Sequence, residues 1–365
     1  MSRQSELAQL GRVFDSGPLS NRNLIINGAM QVAQRGTSTS GITSTTYGPC
    51  DRFRLQLGTM GTWTTEQSTD APNGFSNSFK ATCTTADASP ASTDFLSIRQ
   101  LIEAQNLQQL SFGSAAAKSL TLSFWAKSNK TGTYVAEFKT SDPAPDRTRD
   151  VAYTISAANT WEYKVITIEG DTVGVINNDN GLGMEVTWWL GVGSDFSSGT
   201  IPSVWTDNNN PDRAVGQVNL ADTVGNYFQI TGVQLEVGDT ATPFEHRSYG
   251  QELALCQRYF ERIGGNSNYD PIGVGHQRSA TESYFHVSFK EMKRAAPSIS
   301  FSNNVITTDR LNFDQVVSAI GVSEPSVHGF HGNFNHSSVG ATYRPIMITS
   351  GPNTPFGYMD LDAEL

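Results

Sequence analysis

Apolar residues recur at every second position through most of this chain, the spacing of strands that bury one face. The clearest case is Ser119–Ala126, where Leu120, Leu122, Phe124 and Ala126 alternate with Thr121, Ser123 and Trp125. The same reading predicts strands at Asn23–Met30, Arg52–Leu57, Trp63–Glu66, Ser78–Thr82, Phe95–Gln100, Thr133–Thr140, Asp150–Ile155, Glu162–Ile168, Met184–Val192 and Tyr227–Val237. Turn residues (Gly, Asn, Asp, Pro) separate them, and Leu101–Leu110 reads as a short helix or helical turn. So many short strands predict two packed antiparallel sheets, a jelly-roll-like β-sandwich over residues 21–248. In Tyr227–Val237 the apolar positions form two sets: Phe228 and Ile230, then Tyr227, Val233, Leu235 and Val237.

Two segments depart from this period. Tyr249, Leu253, Cys256, Phe260 and Ile263 make one helical stripe, which predicts a linking helix over residues 249–263. Leu7, Leu10, Val13 and Phe14 would share one side of a short helix in an N-terminal arm, residues 1–20, ended by Gly17-Pro18. That arm would pack on its own domain or dock on a neighbouring protein. Residues 264–365 return to strand spacing and predict a smaller C-terminal β domain. Its strands are expected at Glu282–Phe289, Ser298–Ser302, Asn304–Thr308, Gln315–Val322, Val327–Phe330, Thr342–Ser350 and Gly357–Leu365. The pairing of Asn23–Met30 with Tyr227–Val237 would close the sandwich.

A chain of 365 residues has room for two ordinary cores. Charged residues are only 16 % of it, and Gly, Ser, Thr and Asn take their place on exposed strand faces. The net charge of −10 is spread along the chain, with no dense Lys/Arg cluster. Nucleic acid and anionic membrane surfaces are therefore poor partners. No apolar run approaches the length of a membrane span and no signal peptide is read. Cys50, Cys83 and Cys256 are too few and too scattered for a disulfide scaffold or a zinc site.

A series of motifs carries a family resemblance. Asn23–Met30, Asp51-Arg-Phe53, Leu122-Ser-Phe-Trp-Ala-Lys127, Thr231–Gly238, Pro243-Phe-Glu-His-Arg247 and Leu253-Ala-Leu-Cys-Gln-Arg-Tyr259 occur in an order that resembles phage tail-fibre and virion-surface proteins, many from marine and cyanobacterial phages. The resemblance implies a virion protein assembled in the host cytoplasm and attached through its N-terminal arm to other virion proteins. It also implies a homotrimer, for which Leu253, Cys256 and Phe260 would supply a three-helix core. A capsid- or neck-associated decoration protein is the alternative.

Candidate chemistry is sparse. Catalysis would need paired carboxylates, and Glu66 with Asp70, or Asp142, Asp146 and Asp150, lie in turn-rich segments where Asp serves the turn. No Gly-x-Ser-x-Gly elbow or phosphate-binding loop appears. The expectation is therefore a protein without enzymatic activity or cofactor, with a glycan-degrading tail protein as a minor alternative. Five of the six His residues lie beyond position 275, and His328, His331 and His336 form a tempting but strand-like cluster, so no metal is assigned. The better ligand candidates are aromatic. One of Trp188 and Trp189 should face outward, and Trp205 precedes a polar loop with Asp207 and Asn208. Trp188, Trp205, Asp207 and Asn208 are the expected site for a host-surface glycan.

Overall fold

The computed structural model describes residues 21–309, 314–323, 325–336 and 343–365. The arm residues Leu7, Leu10, Val13 and Phe14 lie outside these. The chain divides into two compact units, Met1–Glu252 together with Leu365, and Leu253–Glu364.

The first unit is a sandwich of two antiparallel sheets. One has six strands in the order Ser38–Ile42, Thr62–Ser68, Ser78–Thr85, Tyr227–Val237, Leu120–Ser128 and Glu162–Ile168. The other has seven, in the order Thr206–Asp207, Arg147–Ile155, Gly132–Thr140, Leu182–Val192, Phe95–Glu103, Arg54–Gly58 and Thr46–Tyr47. The alternation seen in sequence does what it should. Leu120, Leu122, Phe124 and Ala126 meet Phe138, Tyr153, Met184, Val186 and Trp188 in one core. Burial of this apolar surface, at roughly 25 cal/mol per Å², is what holds the sheets face to face. Leu101–Leu110 splits into strand as far as Glu103 and a 3-10 helix, Ala104–Leu110.

The out-of-phase apolar sets of Tyr227–Val237 have a structural cause. Phe228 and Ile230, like Val233, Leu235 and Val237, all enter the core. The register against Leu120–Ser128 shifts between Thr231 and Gln234, a bulge that turns Val233 inward. Gly232 sits in it with φ +61°. A Cβ there would lie 2.6 Å from Cζ of Phe75, so Gly is required on both counts.

Two expectations need correction. Asn23–Met30 lies beside the strand Tyr227–Val237 but is not itself a strand. It is joined there by Leu24 N–H donating to Leu235 O at 2.8 Å and Val233 N–H to Gly28 O at 2.9 Å, with the Asn23 side chain bridging Val233 O and Leu235 N–H at 3.0 Å each. Positive φ at Asn27 and Met30 breaks the extended run. The linking helix spans only Tyr249–Gln257, and Phe260–Gly264 is a strand. The apolar spacing that suggested one helix is shared between two elements.

In the second unit, six strands close a barrel: Pro271–Ser279, Glu282–Ser288, Gly329–His336, Asp314–Ser323, Val305–Thr308 and Pro345–Ser350. A three-stranded sheet of Phe260–Gly264, Tyr358–Asp362 and Ser298–Phe301 belongs to the same unit. Phe285, Phe330, Phe334, Ile346, Ile348, Met359 and Leu361 share its core. Closure removes the edge strands of the barrel wall. Among the described residues, no helix is long and apolar enough to cross a membrane.

Candidate ligand-binding cleft

The outer face of the six-stranded sheet carries an open aromatic cleft. Opposite the core set of Leu120–Ser128, the strand presents Ser123, Trp125 and Lys127 outward. Trp125 pairs across to Tyr163 on one side and to Thr231 on the other. The Trp125 and Tyr163 rings lie 5.3 Å apart at 47°. On the far wall Phe75 meets Phe244 edge-on at 5.0 Å and His246 at 5.5 Å. Together with Asn73, Gly74, Ser123 and Gly232 these rings line a cavity of about 270 Å³. Tyr163 is 46 % exposed and its strand neighbour Val165 49 %, an apolar face that a sheet surface normally replaces with polar residues.

Each wall is held from below. Phe75 tops a turn closed by its own N–H donating to Pro72 O at 3.1 Å. Phe244 and His246 belong to the segment after the strand Tyr227–Val237. Glu236 Oε1 accepts from Thr242 N–H at 2.8 Å, and Gln234 Oε1 accepts from Glu245 N–H at 2.7 Å. Arg247 ties the segment to the Asn23 and Ile25 carbonyls and to Glu252. Asn27 N–H donates to Glu252, and Asn27 Nδ2 donates to Val32 O at 2.9 Å and Asp51 O at 3.0 Å. Asn23, Asn27, Asp51, Gln234, Glu236, Arg247 and Glu252 thus form a polar scaffold that holds the segment carrying Phe244 and His246.

A polar shelf adjoins the rings. Asp70 accepts from Lys127 Nζ at 2.7 Å and from Trp161 Nε1 at 3.2 Å, and the Lys127 ammonium stands 5.9 Å from the Trp161 ring centre. Partial burial raises the Asp70 carboxyl, but these donors outweigh it and hold it below its usual value. Flat rings beside fixed donors and acceptors can stack on a sugar ring and hydrogen-bond its hydroxyls.

The residues singled out in sequence lie elsewhere. Trp188 is fully buried in the sandwich core, T-shaped to Phe124 at 5.9 Å, and reaches no ligand. Trp189 does point to the outer face of its sheet, yet it is only 1 % exposed. Ala214, Phe196 and Ile201 roof it, with Val135 beside it on the neighbouring strand. Trp205 is buried too, donating Nε1–H to Glu169 O at 2.8 Å and meeting Phe112 edge-on at 5.6 Å. Asp207 is exposed, but its carboxylate pairs with Arg147 at 2.8 Å, which also grips Asp171. Asn208 donates its N–H to Asp146 O at 2.8 Å, closing a loop rather than a pocket. Nor is the expected subunit core free: Cys256 is fully buried and Phe260 is 2 % exposed on a strand, which leaves half-buried Leu253 alone.

The roofed face of the second sheet holds a buried charge cluster. Glu137 accepts two bonds of 2.7 Å from Arg213 and one of 3.2 Å from Trp189 Nε1, while Arg99 pairs with Glu185 at 2.5 Å. Asp150 stands directly across the ladder from Glu137. Burial and the Glu137 charge push the Asp150 carboxyl up to about 9, so it is protonated at neutral pH. Both members of this carboxyl pair are buried, Glu137 fully and Asp150 to 1 % exposure. Glu66 and Asp70 are each ion-paired to lysine, at 3.8 and 2.7 Å. The three cysteines are buried and none is in a disulfide. Among the described residues no group of three or more His, Cys, Asp or Glu is placed to hold a metal ion. The cluster His328, His331 and His336 is dispersed, with His331 exposed on the barrel wall and His336 buried against Gln277 and Ser283.

No known protein family and no curated protein matches the sequence. Among solved structures, the enzymatically active domain of tailspike protein 4 from bacteriophage CBA120 is 16 % identical over 59 % of this chain and 21 % of its own length, with a TM-score of 0.30. A putative sugar binding protein from Bacteroides thetaiotaomicron is 13 % identical over 59 % of this chain and all of its own, at a TM-score of 0.31. A family 11 carbohydrate-binding module from Clostridium thermocellum is 11 % identical over 57 % of this chain and 99 % of its own, at 0.28. These likenesses are too distant to bear on mechanism. The jelly-roll-like sandwich stands on its own strand order.

Trp125 was legible. The alternation that placed Leu122 and Phe124 inside placed it outside. The partners Phe75, Phe244 and His246 come from separate loops, and only the bulge at Gly232 and the folded links bring them to it.

Proposed function

We propose that the protein is a non-enzymatic virion surface component, tail-fibre-like, that binds a glycan of the host cell surface in the Trp125–Tyr163 cleft. The observation that carries this reading is an exposed, aromatic-lined cavity with a polar shelf, on a sheet face where polar side chains alone would suffice. The order of sequence motifs supports the virion assignment, with residues 1–20 as the attachment arm and a homotrimer as the assembled form. Subunit contacts are then made by surfaces other than Cys256 and Phe260. A decoration or adaptor protein would use the same aromatic patch against another virion protein.

Adsorption competition separates the two. Labelled intact protein is offered to host cells, which are then challenged with phage. Saturable binding that blocks infection, and that Trp125→Ala and Tyr163→Ala abolish, is the expected result. A folded protein of defined oligomeric state that fails to bind cells would replace the receptor-binding role with decoration. Release of new reducing ends from host polysaccharide would show enzymatic activity and overturn the non-enzymatic reading.

A further inference from the structure

The barrel wall of the second unit carries a row of outward-facing rings, separate from the Trp125–Tyr163 cleft. Phe285 and Val287 point into the barrel core, so His286 between them points out. Its direct cross-strand partner is His331, which lies between Phe330 and Gly332 and also points out. The two imidazole centres are 4.7 Å apart at 40°. Tyr284 stacks on the His331 ring at 6.3 Å and 8°. Ser288 Oγ lies 2.9 Å from His286 Nε2, and Ser323 is paired with His331 on its other side.

From this geometry we infer that His286 and His331 form a two-point chelate for a divalent transition metal of the zinc, nickel and copper group. Imidazole is the ligand these ions favour, and metal–nitrogen bonds are ~2.0–2.1 Å, so one ion spans nitrogens up to roughly 4 Å apart. At this centre-to-centre distance, rotation about the side-chain bonds can bring one nitrogen of each ring within that bite. The barrel supplies the preorganisation. Both histidines stand on strands in continuous register from Glu282–Asn335 to Ser288–Gly329, so holding the second ligand near the first costs little further chain entropy. The remaining coordination positions face solvent and take water or a donor from outside the chain. Tyr284 fixes one ring plane, as a second-layer neighbour does at metal sites.

The test is calorimetric titration of untagged, intact protein with nickel chloride, repeated with zinc chloride. The expected result is one ion per chain, with affinity reduced at least tenfold by either His286→Ala or His331→Ala and unchanged by His328→Ala. Tyr284→Phe keeps the stacked ring and should bind as the parent does. Absence of saturable binding at millimolar metal, or equal loss in the His328 variant, would overturn the site. Thermal melts without metal confirm that each variant is folded. A glycan-binding failure of the cleft leaves this result untouched.

Discussion

Trp125 and Trp189 occupy equivalent situations on the two sheets of one sandwich and meet opposite fates. Each points away from the core, on a strand whose alternate residues fill it. Trp189 is covered by Phe196, Ile201 and Ala214, and Arg213 reaches down to pair with Glu137 beside it. The Arg213 and Arg99 guanidiniums stand 5.2 and 5.6 Å from its ring. Trp125 has no such roof; it stands half-buried beside an open cavity with Tyr163 at its edge. The second face spends its aromatic residue and its charges on stability, the first keeps both accessible. An outward tryptophan thus predicts a ligand face only where no loop crosses it.

The largest way to break the contrast is to unpair the roof. Arg213→Ala leaves Glu137 as a buried carboxylate without its bidentate partner, and loss of one member of such a pair costs about 3–5 kcal/mol. Urea unfolding should show that loss, while glycan binding by the remaining folded protein persists. On the open face the order reverses. Trp125→Ala should reduce glycan affinity at least tenfold, about 1.4 kcal/mol or more, with a smaller effect on the unfolding midpoint. Gly232→Ala comes next. It strains a positive φ and displaces Phe75, which should cost about 1–2 kcal/mol of stability and weaken binding together.

Acidity distinguishes the faces as well. The Asp150 carboxyl, raised by burial and by Glu137 to about 9, binds a proton in the folded state that the unfolded chain releases near pH 4. Its contribution to stability is full below that unfolded value and is lost as pH rises toward 9. Glu137 is buried too, but the Arg213 charge and hydrogen bonds outweigh that burial and lower its carboxyl. Its own contribution therefore disappears only under acid, and between pH 5 and pH 9 the slope from this pair belongs to Asp150. Asp150→Asn should flatten that slope, read as the melting temperature across the range. The smallest effect is expected at the shelf. Asp70 is half-exposed, so Asp70→Asn should cost less than about 1 kcal/mol of stability, and its consequence should appear in ligand affinity.

The sequence pattern carried the sandwich well because period-two burial needs only neighbours along one strand. Glu162–Ile168 and Tyr227–Val237 were bounded correctly for that reason. It failed where a tertiary partner decides. Phe260 and Ile263 fit a helical stripe until Tyr358–Asp362 pairs with them as a strand. Trp188 and Trp205 looked like ligand platforms because their burial depends on the facing sheet and on Phe112. Pro271–Ser279, with two Gly and a His among its residues, showed no clean alternation and was missed, although it is one wall of the barrel.

The central claim is that the open sheet face, not the roofed one, meets the ligand. The most direct measurement is binding of the intact protein to polysaccharide extracted from the host surface, comparing the parent with Trp125→Ala and Trp189→Phe. The account predicts saturable binding for the parent and for the Trp189 variant, and at least a tenfold loss for the Trp125 variant. Undiminished binding by a folded Trp125→Ala protein would contradict it.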